Sequence, residues 1–392
     1  MTMTTISDIP PKLVGKKILR RVPITSLGAV RSACKLWNSL SRDWFLGKAA
    51  AKQQFLGFMT MESKVCSVRF DLFKDKDRDD RGLVDISVKH VAALDQVEIS
   101  KVHYCKGLVL CVLKDSSSLV AWNPYLGQTR RIKPSVAFHT NDMYALGYDK
   151  KSRSHKIVRY LDGLHSTFGT VDRLRYEIYD FSSDAWRVLD VTPHWNIECY
   201  HRGASLKGNS YFFAQEKVPE SVEVVEYENF LICFDFTSER FGKRLALPFQ
   251  SYIEETVTLA CVREEQLAVL YQRWETLLEV MQIWVTTKID PNSVSWSRFL
   301  KVDMRPLCGF QFEYLAASFF IDEEKKVAVV FDFDKDLVHN TAYIVGVDGY
   351  FKSVRLGEAR DRWFRPLVCS SSYLPSLVQI NNQRRKRKKR DV

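Results

Sequence analysis

From about residue 55 onward the chain runs in short hydrophobic stretches separated by clusters of Gly, Asn, Asp, Ser and Lys. Punctuation at that spacing reads as β-strands joined by turns. One unit recurs: two or three hydrophobic residues, an Asp, Asn or turn cluster, then an aromatic or apolar residue that leads the next run. It is seen at Val68-Arg69-Phe70-Asp71-Leu72, at Leu119-Val120-Ala121-Trp122-Asn123-Pro124, at Glu177 to Trp186, at Leu231 to Thr237, at Met281 to Val285 and at Ala342 to Gly349. Taking Phe70, Trp122, Tyr179, Phe234, Trp284 and Val345 as equivalent gives steps of 52, 57, 55, 50 and 61 residues. A period near ~50 residues with several strands each is what a kelch-like β-propeller produces, because one four-stranded blade cannot bury both its faces alone. The expected fold for residues 55–380 is therefore a large all-β domain, a propeller of about six blades. Five or seven blades fit the same spacing, and a β-sandwich is the competing all-β fold.

Before residue 55 the period changes. Ser7 or Asp8 can cap a first helix that opens on Pro10 and Pro11, where a missing N–H costs nothing. Val14, Ile18, Leu19 and Val22 fall on one arc of it, and Lys16, Lys17, Arg20 and Arg21 on the other. Pro23 ends it. A second helix carries Leu27, Val30, Arg31 and Cys34 at helical spacing, and Leu36, Trp37, Leu40 and Trp44 continue the apolar stripe into a third. Residues 1–54 thus form a small all-α domain of about three helices. A unit of that size rarely stabilises itself without a staple or a partner, so it is built to dock.

The order Asp8-Ile9-Pro10, Leu13-Val14, Ile18-Leu19-Arg20-Arg21-Val22-Pro23, Ser26-Leu27 and Arg31 to Asn38 resembles an F-box over about forty residues. The resemblance implies that the three helices bind the Skp-type adaptor of a cullin-RING ubiquitin ligase. It marks Ile9, Pro10, Leu13, Val14, Ile18, Leu19, Val22, Pro23, Leu27, Val30, Cys34, Trp37 and Leu40 as the adaptor-binding set. Gly15, Lys16 and Lys17 depart from it, standing where plant relatives usually have polar or acidic residues, and a glycine inside a helix costs up to about 1 kcal/mol. In the large domain, Cys105 to Cys111, Trp122 to Arg130, Tyr144 to Asp149, Ser205 to Phe212 and residues 230–240 are similar to the type 1 F-box-associated domain of plant F-box proteins. Together the two resemblances imply a substrate receptor of an SCF-type ligase, with a target protein held by the β-domain at residues the resemblance does not identify.

Charge alters the picture only at the ends. Residues 1–54 hold ten Lys/Arg against two Asp, and 381–392 hold seven Lys/Arg against one Asp. Of the total of +11, those segments take +8 and +6, which leaves −3 for 55–380. The bulk of the protein is weakly acidic, so the broad basic face that nucleic acid requires is not expected there. The tail Arg384-Arg385-Lys386-Arg387-Lys388-Lys389-Arg390 repels itself and buries nothing, so disorder is expected from 381 to 392. Such a run reads as a nuclear import signal that an importin would take, which favours the nucleus over the cytoplasm. A nuclear nucleic-acid-binding propeller that uses this tail is the alternative from another class.

Catalytic chemistry has no positive sign. The eight histidines are scattered without an H-E-x-x-H pattern, and there is no P-loop, G-x-G-x-x-G or G-x-S-x-G. Phe331 to Asp336 suggests a calcium loop, but its sixth position is Leu337 and its twelfth Tyr343, so a solvated hairpin turn is expected instead. No metal or other cofactor is expected. A propeller enzyme whose residues converge in a central channel ranks third. The nine cysteines, an odd number lying mostly in apolar runs, suit reduced thiols; Cys105 to Cys111 reads as one strand whose residues of equal parity share a face. No run of about eighteen apolar residues is present to span a membrane, and Lys74 to Arg81 reads as an exposed loop.

Overall fold

The computed structural model describes residues 33–45, 55–73, 83–115, 117–134, 142–161, 176–197, 203–216, 229–251, 255–273, 280–305, 318–347, 349–360, 366–369 and 373–380, together with Pro10, Leu13, Val14, Val22, Val30 and Phe312. The described strands make six antiparallel sheets. In blade 2 the order is Ile99–Cys105, Leu108–Leu113, Leu119–Asn123, Gln128–Ile132, each strand beside the next. The same meander recurs in blades 3 (142–189), 5 (256–303) and 6 (318–358), and in blade 4 (195–246) with two extra short strands.

Blade 1 is assembled from both ends of the chain. Phe55–Met61, Lys64–Phe73 and Leu83–His90 supply three strands, and Leu367–Val368 supplies the innermost one, pairing with Thr60 and Met59. A ring closed in this way has no exposed inner edge at the join.

The core is divided into six seams, one between each pair of neighbouring blades. Phe70, Trp122, Tyr179, Phe234, Trp284 and Val345 all lie on the third strand of their blade, and each packs into the seam with the preceding blade. Phe70 does so against blade 6, which completes the circle. The repeat is thus a true structural equivalence. A β-sandwich, five blades and seven blades are all overturned by the six sheets.

Cys105 to Cys111 is a correction. It is a hairpin rather than one strand: Cys105 pairs with Leu108 across a turn in which Lys106 and Gly107 both have positive φ. Cys105 lies in the seam of blades 2 and 3 and Cys111 in that of blades 1 and 2, on opposite faces of the sheet. Lys-Gly was the turn signal, because a type I′ hairpin needs positive φ at both central residues. Residues 334–338 do form a hairpin turn, closed by the Asp334 carboxylate accepting from the backbone N–H groups of Val338 and His339 at 2.8 and 3.0 Å. The Lys74 to Arg81 run lies outside the described residues.

Candidate functional surfaces

Antiparallel order gives the ring two unlike faces. The lower face carries the turns between first and second and between third and fourth strands. Those among the described residues are tight: 106–107, 124–127, 150–153, 181–184, 207–208, 236–239, 263–265, 291–292 and 323–326. The upper face carries the turns between second and third strands and the connections from blade to blade. Several of the strand ends on this side are separated by long stretches of sequence, among them 133–141, 162–175, 217–228 and 304–317, most of whose residues lie outside the described ones. Loops of that length cost little in closure entropy per added residue and can vary without disturbing the sheets.

The lower face is also where both ends of the chain meet the ring. Phe55 begins its strand there. After Val368 the chain crosses the lower face of blade 2 as a strap, Tyr373–Ile380. Tyr373 is buried in the seam of blades 1 and 2, and its hydroxyl accepts from the Tyr125 N–H at 3.2 Å. The Asn123 Nδ2 group donates to the carbonyls of Ser376 and Val378 at 3.0 and 2.8 Å, and Arg130 Nη1 donates to that of Ile380 at 3.1 Å. Gly107 lets the strap pass: a Cβ there would lie 2.1 Å from that of Ser376.

Charged side chains buried in blade 3 reinforce this lower side. Lys156 Nζ donates to Asp149 Oδ2 at 2.7 Å and to Glu239 Oε1 of blade 4 at 2.8 Å, tying the two blades together. Burial alone would raise the Asp149 carboxyl, but the bonds from Lys156, Ser152 and the Lys151 backbone hold it far below the usual carboxylate range. Nearby, His155 is buried and its Nε2–H donates to the Cys105 carbonyl at 3.0 Å, in the neutral tautomer. Burial pushes its pKa down to about 4, with that carbonyl partly opposing and Lys106 adding to the fall.

The axis of the ring is nearly filled. All six blades contribute to its lining, which includes His103, Ser205, Ser210, Thr258 and Ser318, and it encloses about 40 Å³. That holds only a few water molecules, since one needs about 10–15 Å³ of such space. Glu264 sits at the lower end, bonded to Tyr104 and the Lys106 N–H; burial raises its carboxyl pKa despite those bonds. A larger recess of about 400 Å³ opens on the upper side at the seam of blades 4 and 5. Phe249 and Tyr271 stack there with ring centroids 4.0 Å apart, beside Gln250, Arg273, Val280, Gln282 and Lys301. Tyr271 donates to Glu255 Oε2 at 3.0 Å, and Arg273 Nε lies 3.8 Å from Glu255 Oε1. Nothing in the sequence marked these residues as a set, since they come from separate strands and one connection; the only available signal was the unequal spacing of turns on the two faces.

Of the expected adaptor-binding residues, Ile9, Ile18, Leu19, Pro23 and Leu27 lie outside the described residues, as do Arg384 to Arg390 of the tail. Leu13 is 47% exposed, Pro10 and Cys34 are exposed, and Val14 is buried. Val22 is half-buried against the seam of blades 1 and 2. Val30, Trp37 and Leu40 are half-buried. Lys35–Phe45 is an α-helix that leaves Leu36 41% exposed. Among the described residues, no three or more His, Cys, Asp or Glu are grouped to hold a metal, and no helix is long and apolar enough to cross a membrane.

Six antiparallel sheets, five of four strands and one of six, set in a ring that Leu367–Val368 closes, define a β-propeller. Residues 56–380 match the family described as F-box associated beta propeller domain, and the chain belongs to that family. An F-box/kelch-repeat protein of Arabidopsis thaliana is 53% identical over 97% of this chain and 93% of its own length. A putative F-box protein of the same plant is 54% identical over 96% of this chain and 100% of its own. Among solved structures, the nidogen/laminin complex is 12% identical, covering 80% of this chain and 96% of that one at a TM-score of 0.38.

Proposed function

We propose that this protein is the substrate-recognition subunit of an SCF-type ubiquitin ligase. In this reading residues 1–54 bind the Skp-type adaptor, and through it the cullin-RING enzyme, while the propeller holds a target protein on its upper face. The observation that carries it is the opposition of two surfaces: a segment with solvent-facing Leu13 and Leu36 leads in sequence to Phe55 on the tight-turned lower face, and the long stretches between strands gather on the other. Relatives of more than 50% identity described as F-box and F-box/kelch-repeat proteins support the same assignment.

The chain itself performs no bond-making step in this scheme. It raises the local concentration of the target beside the ligase, a contribution of proximity alone. The basic run Arg384 to Arg390 is assigned to nuclear import through an importin.

Co-purification with a Skp-type adaptor at moderate salt tests the assignment. Capture is expected for the full chain and is expected to be lost in the Leu13→Ala/Leu19→Ala double variant. Equal capture by both, or none by either, overturns the adaptor role. A fluorescent fusion lacking 384–390 that stays as nuclear as the full chain removes the import role.

A further inference from the structure

The receptor reading leaves open what kind of target segment the upper face takes. The recess at the seam of blades 4 and 5 bears on this, and the inference rests on that reading. Its floor is the stacked pair Phe249 and Tyr271, a flat apolar surface that suits an aromatic or branched side chain. Its volume of about 400 Å³ lies in the range of ligand sites and exceeds what the axial channel encloses by about tenfold.

The rim is polar in one sense. Among the described residues the lining includes two cations, Arg273 and Lys301, two carboxamides, Gln250 and Gln282, and no carboxylate. Asp303, the cross-strand partner of the lining residue Val280, is bonded to Arg305, and Glu255, 4% exposed, already receives the Tyr271 hydroxyl, with Arg273 beside it. The Glu255 charge is therefore turned inward, holding the aromatic floor and the arginine stem in place, while Arg273 remains 44% exposed and Lys301 is exposed. That the charged side chains among the described lining residues are both cations sets this recess apart on a domain of net −3.

We infer that this recess binds an internal target segment in which an apolar or aromatic side chain is followed closely by Asp or Glu. The apolar group stacks on Phe249 and Tyr271. The carboxylate meets Lys301 and Arg273, and the carboxamides of Gln250 and Gln282 can take the segment's backbone groups. Paired recognition of this kind gives specificity by two independent contacts, each modest on its own.

The test uses the full chain and a bead library of decapeptides blocked at both ends, so that carboxylates come only from side chains. Enrichment of sequences with Asp or Glu within two residues of Phe, Tyr, Leu or Ile is expected. The best peptide should bind about three- to tenfold more weakly to Lys301→Glu, and more weakly again at high salt, since exposed charges are screened. Phe249→Ala should lose the apolar preference while keeping the acidic one. No enrichment, enrichment of basic peptides, or an affinity that Lys301→Glu leaves unchanged overturns the inference. Adaptor capture by the same variants is read in parallel: if it persists while peptide selection fails, the recess assignment falls and the receptor assignment stands.

Discussion

The two faces of the ring are built from the same strands and differ in almost every other respect. Below, turns of two to four residues predominate, the strap seals blade 2, Lys156 ties blade 3 to blade 4, and Gly107 admits a neighbouring backbone that no side chain could meet. Above, the stretches between strands lengthen, a recess of about 400 Å³ opens, and Leu337, 40% exposed, holds a left-handed conformation that the lower turns give to polar residues and glycine. Leucine gains nothing from that backbone conformation, which costs a non-glycine residue roughly 1 kcal/mol. The lower face is organised for stability and the upper for display, a division that follows from where a meander puts its long connections.

That contrast predicts where substitutions hurt. Lys156→Met should be the most damaging, because it leaves Asp149 and Glu239 facing each other across buried space; a loss of about 3 kcal/mol or more is expected in denaturant unfolding. A loss below about 1 kcal/mol would mean that the lower side is not clamped there.

Acid should act at the same side. His155 has an ordinary pKa when unfolded and about 4 when folded, so the unfolded chain binds a proton first. Its contribution is intact above about pH 6.5 and is lost as the pH falls toward 4, by about 3 kcal/mol in total. The measurement is the stability difference between pH 7 and pH 4.5, which should shrink in a His155→Asn variant.

Gly107→Val comes next, at about 2 kcal/mol, since it forces positive φ on a β-branched residue and collides with Ser376. If protease access to residues 373–380 did not increase with it, the strap would not depend on that glycine. On the upper face the sign reverses: Leu337→Asn should leave stability unchanged or raise it by up to about 1 kcal/mol, because asparagine tolerates the left-handed turn. A clear loss there would show that the Leu337 side chain supports the fold.

Much of the architecture could be read along the chain. The six aromatic or apolar markers sit at equivalent places because every blade buries its third strand against the blade before it, so packing imposes the same residue type at the same interval. Trp122-Asn123-Pro124 marked a strand end, and Asn123 is indeed the last residue of its strand. The misreading of Cys105 to Cys111 came from its continuous apolar character: both strands of that hairpin are buried on both faces, so alternation vanished and only Lys106-Gly107 betrayed the turn. The buried Lys156 and His155 of blade 3 were invisible as core residues, since a charged side chain looks solvated until its partners from other strands are known.

The amino-acid order alone therefore determined the repeat, the all-β character of 55–380, the helical character of Lys35–Phe45 and the concentration of positive charge at the two ends. Those are local properties, set by period, turn chemistry and composition. Only the tertiary structure decided the number of blades, the closure of blade 1 by Leu367–Val368, the strap over blade 2 and the recess of Phe249, Tyr271, Arg273 and Lys301. Each of these joins residues far apart in the chain, and such pairings are selected by how complete faces fit together, a property no single stretch of sequence contains.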